Sequence, residues 1–226
     1  MIPEEESKKE RELILTGKLK HSQSYLVNLT STIRLKVEGC LVKNEGCKIE
    51  EIYPLHDWSE SYRLCRLQGL DPEIKSFLFK LVHQLLPSKE RVHHLTPTSS
   101  PLCWCESGDH ENYLHLFYFC SKNREAGEAV LRVAQAYDRD LTAEKSLRLE
   151  VQTDKVFTLP TTSILSTGLL FIWENRKQRK KTTLYMMRAE LESAVSIRRR
   201  SRLKKVRDAG DIMQNLINNF SDGCCY

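Results

Sequence analysis

Three cysteines and two histidines fall within one short run: Cys103-Trp104-Cys105-Glu106-Ser107-Gly108-Asp109-His110-Glu111-Asn112-Tyr113-Leu114-His115-Leu116-Phe117-Tyr118-Phe119-Cys120. Cys103 and Cys105 open the run with one residue between them, and His115 and Cys120 close it with four between them. Three thiolates and an imidazole make a closed tetrahedral donor set of the kind structural zinc takes. Ser107-Gly108-Asp109 has the turn chemistry needed to fold one ligand pair onto the other. The expectation is a Cys-Cys-His-Cys zinc knuckle with Cys103, Cys105, His115 and Cys120 as ligands. His115 is preferred because its spacing to Cys120 matches common knuckles. His110 is the alternative imidazole, and a solvent-facing loop histidine is the plainer account of it. For the thiols, the plainer account is burial as small apolar side chains. Cys-x-Cys is tighter than the usual zinc spacing, so the backbone at Trp104 must be extended or sharply turned for both sulfurs to share an ion.

The other thiols are Cys40, Cys47, Cys65, Cys224 and Cys225. Residues 1–12 are acidic and polar and carry no secretory signal. An intracellular location, nucleus or cytoplasm, is therefore expected, where clustered thiols read as metal sites rather than disulfides. The chain has 226 residues, 40% hydrophobic and 29% charged, with a mean hydropathy of −0.46. That suits a soluble protein of one large or two small domains. The longest apolar run, residues 164–173, is too short to cross a bilayer, so no membrane partner is expected.

Apolar spacing predicts a mainly α fold, with amphipathic helices around the knuckle. Residues 1–55 form an N-terminal segment in which Ile33, Leu35 and Val37 alternate with charges, as in a short β-hairpin. Residues 56–160 form the helical zinc-binding part. A helix is expected over 57–67, ending at Gly69. Asp71-Pro72-Glu73 starts the next, an N-cap, a proline at the first helical position and an acid in the first turn. Its apolar positions Ile74, Phe77, Leu78, Leu81, Val82 and Leu85 carry it to Leu86. Pro87-Ser88 leads into a short helix over 89–95. After the knuckle, Ser121 is expected to cap a helix with the stripe Ala126, Ala129, Val130, Val133, Ala134 and Tyr137. Asp154 and Pro160 mark a loop.

Residues 161–220 read as a long basic helical region, and 221–226 as a disordered tail. Arg176, Lys177, Arg179, Lys180 and Lys181 form one basic run, and Arg198, Arg199, Arg200, Arg202, Lys204, Lys205 and Arg207 another. Leu184, Met187, Leu191, Ala194 and Val195 between them keep a stripe near heptad spacing. The formal net charge of +5 is modest, but these blocks hold few acids. They suit contact with RNA or DNA phosphates, weakly sequence-specific and weakened by salt. Few aromatics interleave the charges, so base stacking is not expected there. A solvated helix face or a nuclear localisation signal accounts for the same residues. A second functional reading is a self-associating helical interaction module built on the heptad-like stripe. No Gly-rich phosphate loop, nucleophile elbow or endonuclease-like His/Asp set is present, and four protein ligands leave no position for a reactive water. Catalysis is not expected.

The residues also resemble a known family. The run from Phe77-Leu78-Phe79-Lys80-Leu81-Val82-His83-Gln84-Leu85-Leu86-Pro87-Ser88 into Lys89-Glu90-Arg91-Val92, then Pro101-Leu102-Cys103, then Leu114-His115-Leu116-Phe117-Tyr118-Phe119-Cys120, is similar to the reverse-transcriptase zinc-binding domain. That domain follows the polymerase in non-LTR retrotransposon proteins. Thr167-Gly168-Leu169-Leu170-Phe171-Ile172-Trp173-Glu174-Asn175-Arg176 resembles a helix found after the knuckle in animal elements. The likeness covers roughly residues 58–220. Carried over by position, it implies zinc on Cys103, Cys105, His115 and Cys120 and a part in handling template RNA or target DNA. The first Cys pair departs by one residue from the family's Cys-x2-Cys. The paired aspartates of a polymerase palm are absent, and Tyr137-Asp138-Arg139-Asp140 is not that motif. The chain thus looks like the non-polymerase C-terminal part of such an element, or a gene derived from one.

Overall fold

The computed structural model describes the backbone of residues 58–222 and the side chains of residues 58–218. The expected N-terminal hairpin and Cys40, Cys47, Cys224 and Cys225 lie outside that range. Among the described residues the fold is helical and holds no strand. In order come α1 (Trp58–Cys65), α2 (Pro72–Val82), α3 (Lys89–Leu95), a π-helical turn (His115–Phe119), α4 (Arg124–Gln135), α5 (Ala143–Leu147), α6 (Lys155–Lys177), α7 (Leu184–Arg199) and α8 (Lys204–Asp222).

The apolar stripes read from the sequence form the core. In α2, Ile74, Phe77, Leu78, Leu81 and Val82 are buried, and in α4, Ala126, Ala129, Val130, Val133 and Ala134. Both stripes face α6, which also packs against α7, α8 and the π turn. Small residues let these helices close up. A Cβ on Gly168 of α6 would lie 2.4 Å from a Val130 methyl of α4. A Cβ on Gly127 of α4 would lie 1.9 Å from the Phe117 carbonyl oxygen of the π turn. The π turn is thus seated on α4, and α4 on α6.

Helix α6 starts six residues before the position expected from Pro160, which lies inside it. Proline removes one backbone donor, and the carbonyl left without it, that of Val156, belongs to a residue 66% exposed. Water can serve that carbonyl, so the proline is tolerated. The resulting helix of 23 residues, with mean hydropathy 1.5 over its most apolar window, is long and apolar enough to cross a bilayer. Of that window, 72% is buried inside the protein, as in a core helix.

Helix α2 ends at Val82 rather than Leu86, and α4 starts after Asn123 rather than Ser121. The basic region is not one helix but the end of α6, all of α7 and all of α8. Between α7 and α8, the Ser201 hydroxyl accepts from Leu203 N at 3.2 Å. Such a local bond competes with helix continuation. Gly210 sits within α8.

Candidate metal centre

Folding around Cys103 starts from a narrow loop. Leu102 and His110 face one another as an isolated antiparallel bridge. Cys103 N donates to Asp109 O at 2.8 Å, and Glu111 N to Pro101 O at 2.9 Å. At the tip Glu106 (φ 66°) and Gly108 (φ 83°) take left-handed conformations. This sharp turn lets Cys103 and Cys105 point to one place despite their close spacing. Trp104 between them packs beside the cluster with Lys122 Nζ 5.8 Å from its ring centre.

The second pair of donor side chains, His115 and Cys120, is set by the π turn. Cys120 N donates to His115 O at 2.6 Å across five residues, the π-helical step. That wider turn brings residue 120 over residue 115, and the four-residue gap becomes one turn of backbone. Asn112 Oδ1 accepts from His115 N at 2.8 Å, and Asn123 Nδ2 donates to Leu116 O at 3.1 Å.

One donor atom from each of Cys103, Cys105, His115 and Cys120 lies within 4.8 Å of all the others, and all four residues are buried. Cys103 Sγ and Cys120 Sγ are 3.7 Å apart, and Cys105 Sγ and His115 Nε2 are 3.3 Å apart. Tetrahedral zinc with sulfur at about 2.3 Å separates its sulfurs by roughly 3.8 Å. The set could therefore hold a metal ion of that size.

Proton sharing within the set points the same way. The hydrogen bond with Cys120, and then burial, push the Cys103 thiol far above its ordinary range. That same bond holds Cys120 below the ordinary range despite burial. At Cys105, burial is outweighed by bonds from Ser107 and His115, and the thiol is lowered. Burial also disfavours the His115 imidazolium, but bonds to Cys105 and Cys103 outweigh it and raise the ring. A divalent ion bound by these four side chains would displace protons from them.

Partners outside the donor set orient it. His115 Nδ1 lies 3.6 Å from Asp109 Oδ2, which leaves Nε2 facing the sulfurs, the arrangement in which a carboxylate steadies a ligating histidine. Glu111 is fully buried; one of its oxygens lies 3.9 Å from Cys103 Sγ. The other accepts from Lys89 N at 2.9 Å and from the Arg176 guanidinium. No spacing rule marks Asp109 or Glu111 as part of the centre. His110 stands outside, exposed, with Nδ1 3.5 Å from Glu90.

The basic residues divide into inward and outward groups. Arg176 pairs with Glu111, donates to Pro87 O at 3.2 Å and lies 4.9 Å from the Trp173 ring centre. Arg198 is 3% exposed and donates back to Ala194 O at 3.1 Å. Lys177, Arg179, Lys180 and Lys181 are exposed, as are Arg199, Arg200, Arg202, Lys204, Lys205 and Arg207. Arg199 pairs with Asp211 at 2.8 Å. No family model, curated protein or solved structure matches the chain.

Proposed function

We propose that this chain is a zinc-stabilised, non-catalytic nucleic-acid-binding module of the kind its resemblance to the reverse-transcriptase zinc-binding domain implies. Three thiolates and an imidazole in a closed, buried set favour zinc over harder divalent ions. Zinc there would supply a cross-link between loop and π turn. The observation that carries the reading is the attachment of an exposed basic loop to that cross-linked unit. Arg176 anchors one side of the loop on Glu111. On the other side Thr182 N donates to Lys122 O at 3.0 Å, two residues past Cys120. Arg179, Lys180 and Lys181 between these anchors are exposed, and none lies in a helix. They form a cationic edge, tied down on both sides, that suits phosphates. The second set, from Arg199 to Arg207 around the α7–α8 corner, adds charge of the same sign.

The competing self-association reading needs a free apolar stripe on α7. Met187, Leu191, Ala194 and Val195 are buried, and α7 packs against α8, α6 and α4. Those four residues of the stripe are used within the chain.

Fluorescence anisotropy with RNA and DNA at two salt concentrations tests the proposal. Affinity should fall with salt, by a slope of about 0.9 per duplex phosphate contacted. A triple variant, Arg179→Glu with Lys180→Glu and Lys181→Glu, should bind weakly and show a shallower slope. Binding that is absent at low salt, or indifferent to salt, rejects the proposal.

A further inference from the structure

A groove of about 400 Å³ runs between α1 and α2. Its aromatic lining is Tyr62, Phe79 and His83. The rings form a connected set: Tyr62 stacks on His83 with centroids 5.2 Å apart and planes 11° apart. Phe79 approaches the same His83 at 4.3 Å. Phe79 is anomalous for its helix. The core-facing positions of α2 are buried, whereas this phenyl ring is 48% exposed. Burying it on folding did not place it there, and a surface position otherwise favours a polar residue.

Arg66, Lys75 and Ser76 complete the polar part of the lining, and among the described residues no acid and no Leu, Ile or Val takes part. The floor includes Cys65, whose thiol burial pushes up to about 11, so it stays neutral at physiological pH. An apolar peptide would want aliphatic pockets. A flat aromatic ligand carrying negative charge wants stacking faces beside cations, which is what single-stranded nucleic acid presents.

We infer that this groove takes an unpaired base of single-stranded RNA or DNA, stacked against the exposed Phe79 ring, with a neighbouring phosphate on Arg66 and Lys75. The inference rests on the nucleic-acid reading above and adds to it a subsite away from the basic runs. It gives the protein a preference for single strands over duplex, which the cationic loop alone does not supply.

The test uses the whole chain, loaded with zinc, and short oligonucleotides carrying one 2-aminopurine, whose fluorescence is quenched by stacking. Ribo- and deoxyribo-oligomers are run in parallel, each single-stranded and each paired with its complement. Wild-type protein should change the 2-aminopurine signal in the single strand and not in the duplex. Phe79→Ala should abolish that change and weaken single-strand binding by about fivefold or more, leaving duplex affinity unchanged. Phe79→Tyr should restore both. A difference between the ribo and deoxy arms shows whether the sugar is read as well. If Phe79→Ala binds single strands with wild-type affinity and an unchanged signal, the groove is not the site. Equal binding of duplex and single strand with no signal change in either also overturns the groove and leaves the basic loop standing. No binding of any oligomer at low salt removes both.

Discussion

Cys120 has no exposed surface, and its sulfur meets that of Cys103 at 3.7 Å. Cys120→Ser should therefore abolish metal uptake, read as bound zinc per chain, whereas His110→Ala, on an exposed ring outside the donor set, should leave it intact. Arg176 raises a different question, because Glu111 beneath it is fully buried. Truncating one partner of a buried pair leaves an uncompensated charge, at a cost of about 3–5 kcal/mol. Arg176→Ala should lower the urea midpoint by that equivalent. Lys177→Ala, which removes only the exposed pair with Glu174, should change it by about 0.5 kcal/mol or less. Cys65 bears on pH. Its folded thiol is raised from 9.0 to about 11 by burial. A raised value stabilises the fold fully below the unfolded pKa and less as pH climbs through the folded one. Stability should thus fall between pH 9 and 11, by roughly 2–3 kcal/mol at most from this thiol. Cys65→Ala should flatten that alkaline loss in urea titrations at the two pH values.

The elements show which parts of this fold were legible in the sequence. The stripes of α2 and α4 were, because burial on one face imposes a three-four spacing that packing then uses. So were the starts at Asp71-Pro72 and Ser88, where an N-cap residue stands before the first helical position. The ends of α2 and α6 were not. α2, α5 and α6 close with the same pair of bonds, ending on Gln84, Leu149 and Arg179 in left-handed conformations. In each, the following N–H reaches back five residues: Leu85 to Lys80, Glu150 to Lys145 and Lys180 to Asn175. That is the Schellman closure usually signalled by glycine, and here no glycine signals it. Leu85 and the basic run therefore looked like helix to the end. That Cys103, Cys105, His115 and Cys120 come together was legible from donor type and spacing, but the π turn that seats two of them was not, since His-x4-Cys alone does not specify its backbone. The same geometry yields a prediction. A non-glycine residue at positive φ costs about 1 kcal/mol or more, so Gln84→Gly should raise the thermal midpoint. Gly168→Ala should lower it, because its Cβ would meet Val130 at 2.4 Å and overpacking costs about 1–3 kcal/mol.

At the scale of the whole molecule, the question is how far the loss of a metal ion would spread. Structural zinc contributes roughly 10–16 kcal/mol in finger peptides, against about 5–15 kcal/mol for the net stability of a domain. Without the ion, three sulfurs and a ring are left crowded in a buried space with only protons to balance them. The loop over residues 101–111 is closed by the bonds from Cys103 N to Asp109 O and from Glu111 N to Pro101 O, and the π turn closes with Cys120 N on His115 O. Both should open on chelation. From the π turn the damage has a route into α4, because Gly127 packs directly on the Phe117 carbonyl and Asn123 bonds Leu116. A second route runs through Glu111 to the N-terminus of α3 and to Arg176 at the end of α6. The paired helices α7 and α8 bury Met187, Leu191, Val195, Met213 and Ile217 without help from the ligands. Hydrogen exchange with and without chelator should therefore lose protection over residues 101–120 first, then over α3 and the start of α4, while α7 and α8 hold theirs longest. The exposed cations of residues 177–181 would lose both anchors in the same step, so nucleic-acid affinity should drop with metal content even though no ligand residue touches phosphate. Protection over residues 101–120 that chelation leaves unchanged would mean that packing alone holds the four side chains together, and the centre would then be a buried thiol cluster rather than a metal site.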